Sequence, residues 1–132
     1  MSLKIMIVDS SPAFCKTVQR FLSSQPGICL VEVVVDAAQL FEKAGEIKPD
    51  LVLLEKNFTH ADSFALCRTL KQQVPGIKVI VTILFDYQPQ YYETNFDGVI
   101  DKENFGTNFL PLLYSLYDSS NEFSERKNHQ GG

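Results

Sequence analysis

Lys48-Pro49-Asp50-Leu51-Val52-Leu53-Leu54-Glu55-Lys56-Asn57-Phe58-Thr59 decides how this chain is read. Leu51 to Leu54 form a short, unbroken apolar run, and Pro49 and Asp50 punctuate its start. A run of that length between breakers suits a strand buried on both faces. Glu55 then stands at the carboxyl end of the strand, where open parallel sheets collect their ligand chemistry. Lys56 to Asp62 reads as loop.

Four more strands arrange themselves around this one. Leu3 to Val8 reads as the first, ending at Asp9. Ser10-Ser11-Pro12 then starts a helix, with a serine cap and proline at the first helical position. Phe14, Val18, Phe21 and Leu22 recur at helical spacing, so one face of that helix packs on the sheet. Gln25-Pro26-Gly27 ends it. Ile28 to Val35 is the second strand, and Asp36 caps a helix with Ala37, Leu40, Phe41 and Ala44 inward and Gly45 near its end. After the central strand, His60 to Ser63 starts a helix striped by Phe64, Leu66, Cys67, Leu70 and Val74, and Pro75-Gly76 stops it. Ile77 to Leu84 is the fourth strand and carries Thr82. Phe85 to Phe96 has weak periodicity and reads as a short or irregular helix. Gly98 to Ile100 is a brief fifth strand, followed by Asp101-Lys102. A last helix carries Phe109, Leu112, Leu113 and Leu116 inward. Thr107 as its N-cap would put Pro111 in the first turn, where backbone N–H groups lack partners.

This alternation predicts an α/β fold: a five-stranded parallel sheet, doubly wound in the flavodoxin-like manner, with helices on both faces. Residues 1–118 form one domain, and 119–132 read as a flexible polar tail or a linker stub. The chain has 132 residues, 45% of them hydrophobic, enough for one substantial core. Its net charge of -4 argues against direct nucleic-acid binding. No apolar run reaches the roughly 18 residues of a membrane span. Cys15, Cys29 and Cys67 each fall in an apolar pattern and read as buried thiols, which points to the cytoplasm.

If the sheet is right, Asp9, Glu55, Thr82 and Lys102 meet at one end of it. Two carboxylates, a hydroxyl and an ammonium suit a phosphoryl and divalent-cation site. The same residues also suit a purely internal charge cluster, in which the lysine holds two carboxylates that would otherwise repel.

The chain resembles the receiver domains of two-component response regulators over roughly residues 3–117. The likeness is carried by Lys4-Ile-Met-Ile-Val-Asp9-Ser10-Ser11-Pro12, Pro49-Asp-Leu-Val-Leu-Leu-Glu55-Lys-Asn57, Asp62-Ser63, Val79-Ile-Val-Thr82 and Val99-Ile-Asp-Lys102. The resemblance implies phosphoryl transfer from a kinase histidine to an aspartate at the end of the third strand, assisted by magnesium. It also implies that Thr82 and Lys102 sense the phosphoryl group, and that the face made by the last two helices and the fifth strand changes partners.

Against this pattern, the phosphoacceptor position holds Glu55. The extra methylene adds about 1.5 Å of reach, and a misplacement near 1 Å can cost about 100-fold in rate. Glu55 is expected to reach toward Thr82 and Lys102 and to imitate the phosphorylated state. Ser10 stands where a second acidic residue is usual, which leaves Asp9, Glu55 and Asn57 as a weak or absent Mg2+ site; Ser10 itself reads as a helix-cap group. Ile83 should narrow access to the site. Val99 replaces the usual switch aromatic, and Glu103 the usual proline.

The expected function is an atypical receiver acting through protein–protein contacts, and not an enzyme beyond residual phosphotransfer or autodephosphorylation. Its partners would be a histidine kinase or another signalling protein, with a homodimer through Tyr87 to Phe96 and the last helix. An active receiver that still accepts a phosphoryl group with Mg2+ is the alternative. A flavodoxin-like cofactor binder is remote, because Asp9-Ser10-Ser11-Pro12 is no phosphate cradle. A serine hydrolase is poorer still, since neither His60 nor His129 sits near a serine motif.

Overall fold

The computed structural model describes residues 2–58, 62–84 and 96–118. Five strands, β1 (Leu3–Val8), β2 (Ile28–Val34), β3 (Leu51–Glu55), β4 (Lys78–Ile83) and β5 (Gly98–Asp101), form one parallel sheet in the order β2-β1-β3-β4-β5. The helices are α1 (Pro12–Ser23), α2 (Ala37–Ile47), α3 (Ser63–Gln73) and α4 (Phe105–Asp118). Residues 85–95, where an irregular helix is expected from sequence, and the tail from residue 119 lie outside the described residues. Among the described residues no helix is long and apolar enough to cross a membrane.

The period-two alternation of strands sorts the core into two layers. Met6, Val8, Val52, Leu54, Val79 and Val81 face α2 and α3, where Leu40, Ala44, Cys67 and Leu70 meet them. Leu3, Ile5, Ile7, Leu51, Leu53, Ile80 and Ile100 face α1 and α4, where Phe14, Val18, Leu22, Phe109 and Leu113 close the other layer. Both faces are buried, and for that reason β3 reads as a continuous apolar run.

Side-chain caps fix the helix starts. Ser11 Oγ accepts from Phe14 N at 3.2 Å, Asp36 from Ala38 N at 2.9 Å and Asp62 from Phe64 N at 3.0 Å. Gly76, at φ +89°, makes the turn after α3 in a conformation that side chains resist. Gly45 lies inside α2 and does not end it; Lys48 caps the helix in the left-handed conformation. A Cβ at position 45 would lie 2.8 Å from Gln73 Nε2, which donates to the Phe41 carbonyl at 2.6 Å.

Two sequence expectations need correction. The last helix begins at Phe105, not after Thr107. A 3-10 turn over Lys102–Asn104 precedes it, and the Asp101 carboxylate accepts from Glu103 N at 2.9 Å. Pro111 therefore sits well inside the helix and removes the bond to the Thr107 carbonyl. Pro111 and Thr107 are both exposed, so water can serve the freed carbonyl. With the earlier start, the fully buried stripe is Phe105, Phe109, Leu113 and Tyr117, and Leu112 and Leu116 are half-buried. The second correction is Cys29. Cys15 and Cys67 are buried, but Cys29 is exposed, because β2, among the described residues, is an edge strand paired only with β1.

Candidate functional site

The strand order reverses between β1 and β3, and the crevice above their carboxyl ends is where this architecture binds ligands. Register brings the polar groups there. Val8 is level with Leu54, so Asp9 and Glu55 follow side by side, and Glu55 is level with Thr82. By strand alternation Asp9, Glu55 and Thr82 continue the rows Ile5–Ile7, Leu51–Leu53 and Ile80, all on the α1–α4 face. Lys102 enters from the turn after β5.

These groups close on one another. Lys102 Nζ lies 2.9 Å from Asp9 Oδ2 and 3.0 Å from Glu55 Oε2. Asp9 Oδ1 accepts from Ser11 N at 2.8 Å. Glu55 Oε1 accepts from Ser10 N at 3.2 Å and from Ser10 Oγ at 2.8 Å. The ammonium also sits 4.9 Å from the centroid of the Phe14 ring, within cation–π range. The first turn of α1 thus builds much of the site: Ser11 caps the helix through Phe14 N, and the Phe14 ring then walls in Lys102.

Electrostatics follow the geometry. Burial pushes the Asp9 carboxyl above its ordinary value, although Lys102 and Ser11 pull the other way. Burial works on Glu55 in the same sense, but hydrogen bonds from Lys102 and Ser10 outweigh it and hold the carboxyl below its ordinary range. For Lys102, burial is overcome by the two carboxylates, and the ammonium is held above the ordinary lysine value. With its side chain only 1% exposed, Asp9 is the innermost of the three.

The expectations for Glu55 and Ser10 change here, whereas those for Ile83 and Phe96 do not. Glu55 does not bond Thr82. Its two oxygens go to Ser10 and Lys102, which together offer it three donors, and the buried Thr82 Oγ1 has no hydrogen-bond partner among the described residues. Ser10 is not the helix cap; Ser11 is, and Ser10 binds Glu55. Ile83 borders the cleft but belongs to the α2–α3 core. Phe96 is one of the aromatics that cover the core, stacked on Phe64 at 5.2 Å, and Tyr87, Tyr91 and Tyr92 lie outside the described residues. Sequence reasoning missed the part played by Phe14, whose helical spacing marks it only as core.

A cleft of about 250 Å³ opens beside the cluster, lined by Glu55, Lys56, Asn57, Thr82, Ile83, Leu84 and Lys102. Asn57 is exposed in the turn after β3 and borders this cleft, whereas Asp9 is not part of its wall. The three oxygen donors expected for magnesium thus do not all line this cleft. Three of the four carboxylate oxygens of Asp9 and Glu55 accept hydrogen bonds, and the fourth, the buried Asp9 Oδ2, has no hydrogen bond but lies 2.9 Å from the Lys102 ammonium. Magnesium demands near-octahedral oxygen coordination. Among the described residues no group of three or more His, Cys, Asp or Glu is arranged to hold a metal ion. This donor set does not fit the cation. Nor does the β1–α1 loop fit a phosphate, because the N–H groups of Ser10 and Ser11 are turned to Glu55 and Asp9.

A doubly wound sheet of order 2-1-3-4-5, with acidic groups and a lysine at the switch crevice, defines a receiver-type fold. Residues 5–108 match the family model described as the response regulator receiver domain, and the chain belongs to that family, the receivers of two-component signalling. Among curated relatives, the response regulator protein VraR of Staphylococcus saprophyticus is 24% identical over 126 residues, spanning 93% of this chain and 60% of that protein. Protein-glutamate methylesterase/protein-glutamine glutaminase 3 of Pseudomonas syringae pv. syringae is 29% identical over 75 residues, spanning 57% of this chain and 19% of the relative. The chain thus spans less than two thirds of the length of these relatives. Among solved structures, a LuxR-family two-component response regulator from Aurantimonas superposes with a TM-score of 0.76 at 17% identity, covering 96% of this chain and 99% of that one. The isolated receiver domain of RcsB from Salmonella enterica serovar Typhimurium gives 0.78 at 16% identity, covering 89% and 90%. At these identities the likeness is one of fold.

Proposed function

We propose that this is an atypical receiver domain that signals through protein–protein contacts without phosphorylation at position 55. The observation that carries the reading is the engagement of both Glu55 oxygens, one by Lys102 and one by Ser10. A nucleophilic oxygen must be free to approach the phosphorus at roughly 3–3.5 Å and in line. Here the carboxylate is tied to its neighbours, and it stands about one carbon–carbon bond, some 1.5 Å, beyond the reach of an aspartate. Glu55 holds Lys102 by its own charge and so imitates the anion that a phosphoryl group would supply. In this reading the domain is no enzyme and resides in the cytoplasm. It offers its surface to a histidine kinase or another signalling protein, or to a second copy through residues 87–96 and α4.

A second reading, the active receiver, is favoured by Thr82, whose buried, unpartnered hydroxyl borders the cleft beside Lys102. One experiment separates the two. The protein and a Glu55→Asp variant are incubated with acetyl phosphate and magnesium, and their intact masses are recorded. The natural protein is expected to stay unmodified; uptake by the variant alone would make Glu55 the block, and uptake by neither would place the block in the rest of the site. Phosphoryl uptake by the natural protein would overturn the proposal.

A further inference from the structure

We propose that Ser10 closes this site to divalent cations, and that Lys102 serves as the internal counter-ion in their place. The inference rests on the closed geometry that also supports the reading above, but it concerns the cation and not the phosphoryl group. Ser10 fills Glu55 Oε1 with two donors, N–H at 3.2 Å and O–H at 2.8 Å. Lys102 fills Glu55 Oε2 at 3.0 Å and Asp9 Oδ2 at 2.9 Å, and Ser11 N–H takes Asp9 Oδ1 at 2.8 Å. Two carboxylates and one ammonium leave a single net negative charge. Asp9 Oδ2, buried and without a hydrogen bond, has only the ion pair with Lys102, so an incoming cation would have to displace that ammonium and the donors on the other three oxygens, and magnesium gives up its own water reluctantly.

Position 10 is the decisive one because of where it stands. Its side-chain oxygen is in hydrogen-bond contact with Glu55, and the residue is exposed, so a larger side chain has room. A carboxylate there could not donate. It would put a third negative group against Glu55 and Asp9 with only Lys102 to balance them, and like charges so placed favour uptake of a cation. Ser10→Asp should therefore turn a cation-indifferent site into a cation-binding one.

The test is thermal unfolding of the natural protein, Ser10→Asp and Ser10→Asn in EDTA and in magnesium chloride, at ionic strength matched with sodium chloride. The natural protein and Ser10→Asn are expected to show no magnesium effect. Ser10→Asp should rise by about 4 °C once magnesium reaches ten times its Kd. If Ser10→Asp is unfolded in EDTA, recovery of its helical circular dichroism on adding magnesium counts as the same result. A magnesium effect on the natural protein would overturn the inference, as would one of equal size on Ser10→Asn. So would indifference of Ser10→Asp, folded or unfolded. A cation effect on the natural protein without phosphoryl uptake would defeat this inference alone and leave the phosphorylation-independent reading standing.

Discussion

Replacing Lys102 with methionine is the most informative perturbation of the cluster. Methionine keeps much of the length of the stem and removes the charge that sits over Phe14. Asp9 and Glu55, whose side chains are 1% and 16% exposed, are then left facing each other without a counter-ion. Breaking a buried ion pair from one side costs about 3–5 kcal/mol. The lower end applies here, because Ser11 still serves Asp9 and Ser10 still serves Glu55. A ceiling comes from protonation: one carboxyl can take up a proton, and at pH 7 that costs about 4 kcal/mol. Asp9 is the one to do so, being the more buried and already raised above its ordinary value. The penalty must then shrink as protons become available. Between pH 7 and pH 5 the ceiling falls by about 2.8 kcal/mol, two pH units at about 1.4 each. Urea unfolding followed by circular dichroism should show the variant about 3 kcal/mol less stable than the natural protein at pH 7 and within about 1.5 kcal/mol of it at pH 5. A loss below about 1 kcal/mol at pH 7, or an equal loss at both pH values, would refute the account of Lys102 as a buried counter-ion.

Other consequences can be checked with the same unfolding assay. Ser10→Ala removes one of two donors to Glu55 Oε1 at a partly exposed site and should cost about 0.5–1 kcal/mol, with Ser10→Thr restoring most of it. Asp97→Ala should cost about 2 kcal/mol, because the Asp97 carboxylate accepts from Val79 N and from Lys71 Nζ, both at 2.7 Å, and the strand N–H is left without its acceptor. Gly45→Ala ought to gain about 1 kcal/mol of helix propensity but loses the bond from Gln73 to Phe41; it should be close to neutral alone and show the full gain only in a Gln73→Ala background. On the alkaline side, Lys102 has a folded value raised above the ordinary 10.5, so its contribution is complete below that pH and disappears as pH climbs through the raised value. A pH titration of stability should show that limb in the natural protein and lack it in Lys102→Met.

The fold was legible because its signals are redundant. The apolar runs of β1, β3 and β4, the caps at Ser11, Asp36 and Asp62, and the breakers at Gly27 and Gly76 each point to the same alternation of strand and helix. The start of α4 was not legible. Thr107 and Pro111 offer a plausible local start, while the real one depends on Phe105 packing against Phe14 and Phe21, a tertiary contact that no local rule contains. Cys29 was misjudged for a related reason: apolar neighbours mark a strand, but only strand order tells an edge from a centre. At the site, residue types and order were enough to assemble Asp9, Glu55 and Lys102, because strand ends converge wherever the sheet is parallel. Which donor each carboxylate oxygen takes was beyond sequence, since the choice between Thr82 and Ser10 turns on side-chain geometry at the 3 Å scale.

That choice bears on how such a domain could be switched. Thr82 is level with Glu55 on the neighbouring strand, yet the two side chains do not bond, and Val99, one strand further along, is aliphatic. A hydroxyl-to-aromatic relay through β5 lacks its aromatic end here, and its hydroxyl end is not engaged by Glu55. The contacts the cluster does make run the other way, from Lys102 to the Phe14 ring, and from Phe14 edge-on to Phe105 at 5.7 Å, which stacks on Phe109 at 4.8 Å. Beyond Asp9 and Glu55, a change in the hold on Lys102 is expected to reach α1 and then α4 through Phe14. Phe14→Leu tests this order of effects. It removes the cation–π contact, worth about 0.5–2 kcal/mol, and opens space beside Phe105. Nuclear magnetic resonance shifts should then move in the first turns of α1 and α4 and at Lys102, while Thr82 and Val99 stay in place. Shifts concentrated on β4 and β5 instead would show that the cluster is coupled through the sheet and not through the aromatic layer.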